Sequence, residues 1–128
     1  MARILVVEDE NLLAMQITWT LEDAGHSVIG PEKSVDATIK VLARQKVELG
    51  LLDVKLGAET VFPISKLLDG LHIPYIFITG ESGAIPDEYR HRPAIVKPYE
   101  AKTLVWQIKQ LLTDAQSRGG QAWGMTQT

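Results

Sequence analysis

A chain of 128 residues with 45% hydrophobic content has the length of one compact domain and enough apolar side chains to bury a core. Its formal charge of -3 and isoelectric point near 5.6 supply no concentrated positive field for nucleic acid, and it has no cysteine for a disulfide framework. The N-terminal apolar run over 4–7 is too short for a signal segment or a membrane span, so the expectation is a cytoplasmic protein that binds neither nucleic acid nor membrane.

Ile4-Leu5-Val6-Val7, stopped by Glu8-Asp9-Glu10, reads as a strand buried on both faces, as in a parallel sheet. Over 11–24 the pattern turns helical, with Leu13, Ile17, Leu21 and Ala24 on one stripe and Gly25 closing it. A second strand over 27–30 leads to a helix carrying Val35, Ile39, Leu42 and Ala43. Residues 48–53 then form a third strand that ends on Asp53. Val61, Ile64, Leu67, Leu68 and Leu71 mark a third helix, whose first turn tolerates Pro63. Tyr75-Ile76-Phe77-Ile78-Thr79 is a fourth strand, entered through Pro74 and left at Gly80.

Residues 81–92 are polar and broken by Gly83 and Pro86, which leaves room for a short helix over 87–91 at most. A fifth strand over 93–96 precedes a closing helix over 100–113, with Ala101, Leu104, Ile108, Leu111 and Leu112 on one side. The alternation predicts an α/β fold, a flavodoxin-like doubly wound (βα)5 chain whose five-stranded parallel sheet has the order 2-1-3-4-5. The domain is expected to span 1–114. Residues 115–128, with Gly119-Gly120, Gly124 and little apolar content beyond Trp123 and Met125, read as a flexible tail too short to house an output domain.

In open parallel sheets the functional crevice lies at the carboxyl ends of the strands, and here those ends carry Glu8, Asp9, Asp53, Thr79 and Lys97. Carboxylates brought that close raise one another's pKa values unless a hard divalent cation neutralises them, so the cluster predicts a Mg²⁺ site. Each residue alone reads as a helix cap or a solvated loop residue. The weight comes from their coincidence at successive strand ends.

This pattern resembles the receiver domains of bacterial two-component response regulators. The resemblance rests on the acidic pair after the first strand, Asp53 after the third, Thr79 after the fourth and Lys97-Pro98 after the fifth, and it covers residues 3 to about 113. It implies that Asp53 accepts a phosphoryl group from a sensor histidine kinase or a histidine phosphotransfer protein. It also implies a Mg²⁺ ion held by Asp53, directly by Asp9, through water by Glu8, and by the main-chain carbonyl of Lys55. Lys97 would pair with Asp53 and then with the phosphoryl oxygens. Thr79 would turn its hydroxyl to those oxygens and draw the following loop with it. Lys97-Pro98 resembles the family's cis peptide, with Tyr99 following on the surface.

On the same resemblance the chain is a stand-alone regulator, a monomer or weak dimer, that signals to a downstream protein target or relays the phosphoryl group. It would catalyse only its own phosphorylation and dephosphorylation. Ala94 departs from the pattern, because many receivers carry a Tyr or Phe there, three residues before the Lys. Phe77-Ile78-Thr79-Gly80 and Lys97-Pro98-Tyr99 resemble the single-domain subgroup named for its Phe-Ala-Thr-Gly-any-Tyr string, from which Ile78 and Ser82 deviate. With Ala94 unable to switch, the loop over 80–92, with Gly80 and Gly83 as flexible points, is expected to do so.

Leu12, Met15 and Trp19 share a helical face. Met15 and Trp19 are expected to pack on the last helix and Leu12 to remain free for a histidine-bearing partner. Trp106, opposite the apolar stripe of the last helix, is expected to be exposed. His26, His72 and His91 read as loop or surface residues without a catalytic role. Two other functions compete. A receiver-like adaptor that works without phosphorylation sits poorly with an intact Glu8, Asp9, Asp53, Thr79 and Lys97. A phosphatase that forms an aspartyl phosphate needs a second Asp two residues after the first, where Lys55 stands.

Overall fold

A computed structural model describes residues 1–80 and 84–117. Five strands, β1 (Arg3–Val7), β2 (Ser27–Glu32), β3 (Leu49–Asp53), β6 (Tyr75–Thr79) and β7 (Ala94–Val96), form one parallel sheet in the order β2-β1-β3-β6-β7. Counting only these strands, the order is the expected 2-1-3-4-5. The short strands β4 (Lys55–Leu56) and β5 (Glu59–Thr60) make a separate antiparallel hairpin beyond the expected (βα)5 elements. The helices are α1 (Asn11–Asp23), α2 (Val35–Leu42), α3 (Phe62–Gly70) and α4 (Ala101–Ser117).

Side chains alternate across the sheet and sort into two cores. Leu5, Val7, Leu52, Tyr75 and Phe77 face α3 and the segment over 84–92. Ile4, Val6, Leu49, Leu51, Ile76 and Ile78 join Ile17 and Leu21 of α1 and Leu104 and Ile108 of α4. Burial on both faces explains why β3 and β6 read as unbroken apolar runs. Gly50 lies on the α3 side, where a Cβ would come within 3.1 Å of the Leu68 side chain, so glycine lets α3 sit close to the sheet.

Several local expectations shift. β2 continues past its expected end at 30 through a cis Gly30-Pro31 bond, and its register against β1 changes between Leu5 and Val7. Gly30 has φ +99°, and a Cβ there would lie 2.9 Å from the Val6 carbonyl oxygen, so this bulge requires glycine. The inner face of α1 is Ala14, Ile17 and Leu21, while Leu13 is half-buried and Ala24 exposed. In α2, Ile39 and Ala43 point outward, and buried Thr38 takes the inner face with Val35, Val41 and Leu42. The phase of α2 is set by its cap: Ser34 Oγ accepts from Ala37 N–H, and the Thr38 hydroxyl donates to the Ser34 carbonyl at 2.8 Å, which satisfies a polar group inside the core.

Pro63 falls in the first turn of α3, as expected. Between β6 and β7 the described residues hold no α-helix; Asp87–Tyr89 form a 3₁₀ turn in place of the short helix expected over 87–91. The (βα)5 pattern is thus realised with four α-helices among the described residues. The last helix extends to Ser117, past the expected domain boundary at 114. The rest of the tail expected from 115 onward lies outside the described residues. Among the described residues, no helix is long and apolar enough to cross a membrane.

Candidate functional site

The parallel register brings the strand ends together. Asp53, the last residue of β3, stands opposite Ile78, and Thr79, the last of β6, stands opposite Val96. Backbone bonds carry the alignment past the strands, from Glu8 N–H to the Glu32 carbonyl at 2.9 Å, Val54 N–H to Ile78 at 3.0 Å and Lys97 N–H to Thr79 at 2.8 Å. The result is a cleft of about 380 Å³ whose lining includes Glu8, Asp9, Asp53, Lys55, Thr79 and Lys97. Every residue expected at the site is therefore in one place.

Lys97 Nζ lies 3.4 Å from Asp53 Oδ2 and 3.7 Å from Glu8 Oε1, so one cation serves two carboxylates. Glu8 is only 1% exposed and Asp53 7%. Glu8 Oε2 accepts from Glu10 N–H at 3.1 Å, while its buried Oε1 has no hydrogen-bond partner. Burial, with the neighbouring Asp53 carboxylate, pushes the Glu8 carboxyl up to about 7 against the opposing pull of Glu10 N–H and Lys97. One carboxylate oxygen each from Glu8, Asp9 and Asp53 lies within 4.8 Å of the others. An all-oxygen donor set with an unsatisfied buried oxygen fits a hard divalent cation such as Mg²⁺.

The β4–β5 hairpin supplies the remaining wall. Gly57, at φ +60°, makes the tight turn that brings Lys55 and Gly57 to the rim of the cleft, with Asp9 Oδ2 3.8 Å from where a Cβ of Gly57 would be. The sequence held a sign of it, a two-residue Gly57-Ala58 loop of the kind that closes short hairpins. Ala84 lines the other side.

At the edge of the cleft, Lys97-Pro98 is a cis peptide, as the resemblance implies. Tyr99 follows at the surface but half-buried: it packs against the aliphatic core and lines an apolar groove with Leu13, Ile17 and Pro98. Burial also raises its phenol. Met15 and Trp19, expected to pack on the last helix, are 44% and 59% exposed because α4 meets α1 through Ile17 and Leu21 instead. Leu12 and Trp106 are exposed, as expected. His72 and His91 are exposed, and His26 has a structural role in which Nδ1 accepts from Ala2 N–H at 3.1 Å.

The fold and this cleft define a receiver domain of the response-regulator class. No family model matches the chain. It is 33% identical over 119 residues to the phyllosphere-induced regulator PhyR of Methylorubrum extorquens, an alignment covering 89% of this chain and 45% of that protein. Among solved structures it is similar to the response regulator PhyR from Brucella abortus, with TM-score 0.82 and 26% identity over 92% of this chain and 50% of that one. It is also similar to SdrG from Sphingomonas melonis, with TM-score 0.78 and 29% identity over 88% of this chain and 97% of that one. The chain spans about half the length of the curated relatives it matches.

Proposed function

We propose that this receiver takes a phosphoryl group onto Asp53 from the phosphohistidine of a sensor kinase or a histidine phosphotransfer protein, and passes the signal on by protein contact or relay. The observation that carries the reading is the Lys97 ammonium 3.4 Å from a nearly buried Asp53 in a cleft lined by acids. A carboxylate held next to a flexible point charge is poised both to attack phosphorus and to have its product charge balanced.

An Asp53 oxygen attacks phosphorus in line. The phosphorus–nitrogen bond breaks with its electron pair passing to the imidazole ring, which leaves neutral when its other nitrogen carries the proton. Lys97 shifts from the carboxylate to the phosphoryl oxygens, and Thr79, buried at the end of β6, offers its hydroxyl to them. Later a water oxygen attacks the same phosphorus, and inorganic phosphate departs from the restored carboxylate. Asp9, Glu8, Asp53 and the Lys55 carbonyl would hold Mg²⁺, which when bound neutralises charge on the carboxylates and on the transferring group. Turnover is confined to the chain's own acyl phosphate, since Lys55 occupies the position where a phosphatase of this chemistry places its second acid.

The likeness to SdrG along nearly its whole length supports a single-domain regulator. The Phe77 to Gly80 string supports the Phe-Ala-Thr-Gly-any-Tyr subgroup. Incubation with Mg²⁺ and acetyl phosphate, read by intact mass, tests the central step. One added phosphoryl group is expected, not formed when Mg²⁺ is chelated beforehand and absent in Asp53→Ala. No adduct from acetyl phosphate or from a phosphohistidine donor would overturn the reading in favour of an adaptor that works without phosphorylation.

A further inference from the structure

The segment over 84–92 stands where Ala94 leaves the sheet without the usual aromatic switch, and its own aromatic residue is not on the surface. Tyr89, the last residue of the 3₁₀ turn, is buried among rings. It stacks on Phe62 with centroids 5.4 Å apart and planes 12° from parallel, and meets the edge of Phe77 at 5.9 Å and 78°. Phe62 opens α3, directly after the hairpin that walls the cleft, and Phe77 lies two residues before Thr79 on β6. Ile85 is buried in the same core, and Ala84, one residue before it, lines the cleft itself. Beyond Tyr89, Arg92 Nη2 pairs with Asp69 Oδ1 at 2.9 Å and lies over the Tyr75 ring. The segment is therefore held at its far end by rings and an ion pair, while its near end forms part of the wall around Asp53.

We propose that Tyr89 is the latch of this receiver: seated between Phe62 and Phe77 it holds the segment over 84–92 against the sheet, and phosphorylation of Asp53 releases it. The proposal rests on the phosphoacceptor reading above. Thr79 shares its strand with Phe77, so movement of Thr79 toward phosphoryl oxygens disturbs the ring against which Tyr89 packs. Packed rings have discrete arrangements rather than a continuum, so the pull favours an unstacked Tyr89 over a slightly displaced one. A ligand shifts such an equilibrium only through its different affinity for the two arrangements, so a weaker latch makes phosphorylation easier.

The test labels the three tyrosines with 3-fluorotyrosine and follows ¹⁹F resonances of the whole chain with Mg²⁺ and beryllofluoride, with assignment by Tyr→Phe variants. The expected result is a Tyr89 signal that moves toward its solvent-exposed position on loading while Tyr75 stays in place. Loading is read from a bound beryllofluoride signal that disappears in Asp53→Ala. Loading with an unmoved Tyr89 overturns the latch and leaves the phosphoacceptor reading standing; absence of loading, with no phosphoryl adduct by mass, overturns both. In parallel, Tyr89→Leu should speed phosphorylation by acetyl phosphate about three- to tenfold, while Tyr89→Phe, which keeps the stack, stays within about twofold of the parent. A folded Tyr89→Leu protein with the parent rate overturns the latch, and if that variant does not fold, the ¹⁹F measurement decides.

Discussion

The two faces of the sheet are built differently. Against α1 and α4 the fully buried side chains are aliphatic, from Ile4 and Val6 through Leu21 to Ile108, with half-buried Tyr99 packed against them. On the other face, four rings, Phe62, Tyr75, Phe77 and Tyr89, form a connected chain of edge and stacked contacts around the 3₁₀ turn. Branched aliphatic side chains interdigitate tightly along two long helices and leave little room for alternative arrangements. Flat rings keep a large contact area through a few discrete geometries, so they can hold a segment whose own backbone bonds are limited to a short 3₁₀ run. The aliphatic face serves as scaffold for the strand ends, and the aromatic face borders the segment that leads out of the cleft.

The largest effect that would sharpen this contrast is expected from Phe77→Ala. It removes the ring at the centre of the aromatic chain and should cost about 4 kcal/mol in urea unfolding, with amide shifts changing throughout 84–92. Leu21→Ala, fully buried on the other face, should cost about 3 kcal/mol yet leave the amides of 84–92 in place; changes there would break the proposed separation of the faces. Asp69→Asn weakens the pair with Arg92 and the bond from the Tyr75 hydroxyl at the lower edge of the aromatic face. A loss of about 1 kcal/mol is expected, with faster amide exchange confined to that edge.

The smallest effect concerns pH. Burial holds His26 below its ordinary value of 6.5, and its neutral ring accepts from Ala2 N–H. Because the folded-state value is depressed, the contribution is fully present above the unfolded value and lost as pH falls through the folded one. Thermal melts taken between about pH 7.5 and 5.5 should therefore fall more steeply for the parent than for His26→Asn. Equal slopes would remove His26 from the account of the first strand's anchoring.

Much of this architecture was legible because its causes are local. Unbroken apolar runs such as 75–79 report burial on both faces, and Glu8, Asp9, Asp53, Thr79 and Lys97 could be placed at strand ends by counting from those runs. The phase of α2 is not legible along the chain because Thr38 counts as polar in a periodic pattern, although its hydroxyl is satisfied by the Ser34 carbonyl and the residue packs inward. The fates of Met15 and Trp19 depended on which face of α1 meets α4, and an apolar residue two positions from the stripe carries no mark of the side it will take.

The alternation of strands and helices, the sheet order that follows from right-handed crossovers, and the residue types at the strand ends can be read along the chain, since these rest on period, handedness and turn chemistry within short stretches. Assembly of the whole fold is what makes Lys97 shared by Glu8 and Asp53, lets Gly57 swing Lys55 to the rim of the cleft, and seats Tyr89 between Phe62 and Phe77. Each of these joins residues from separate elements. Contacts of that kind are fixed by the packing of the whole sheet and not by any pattern along the chain.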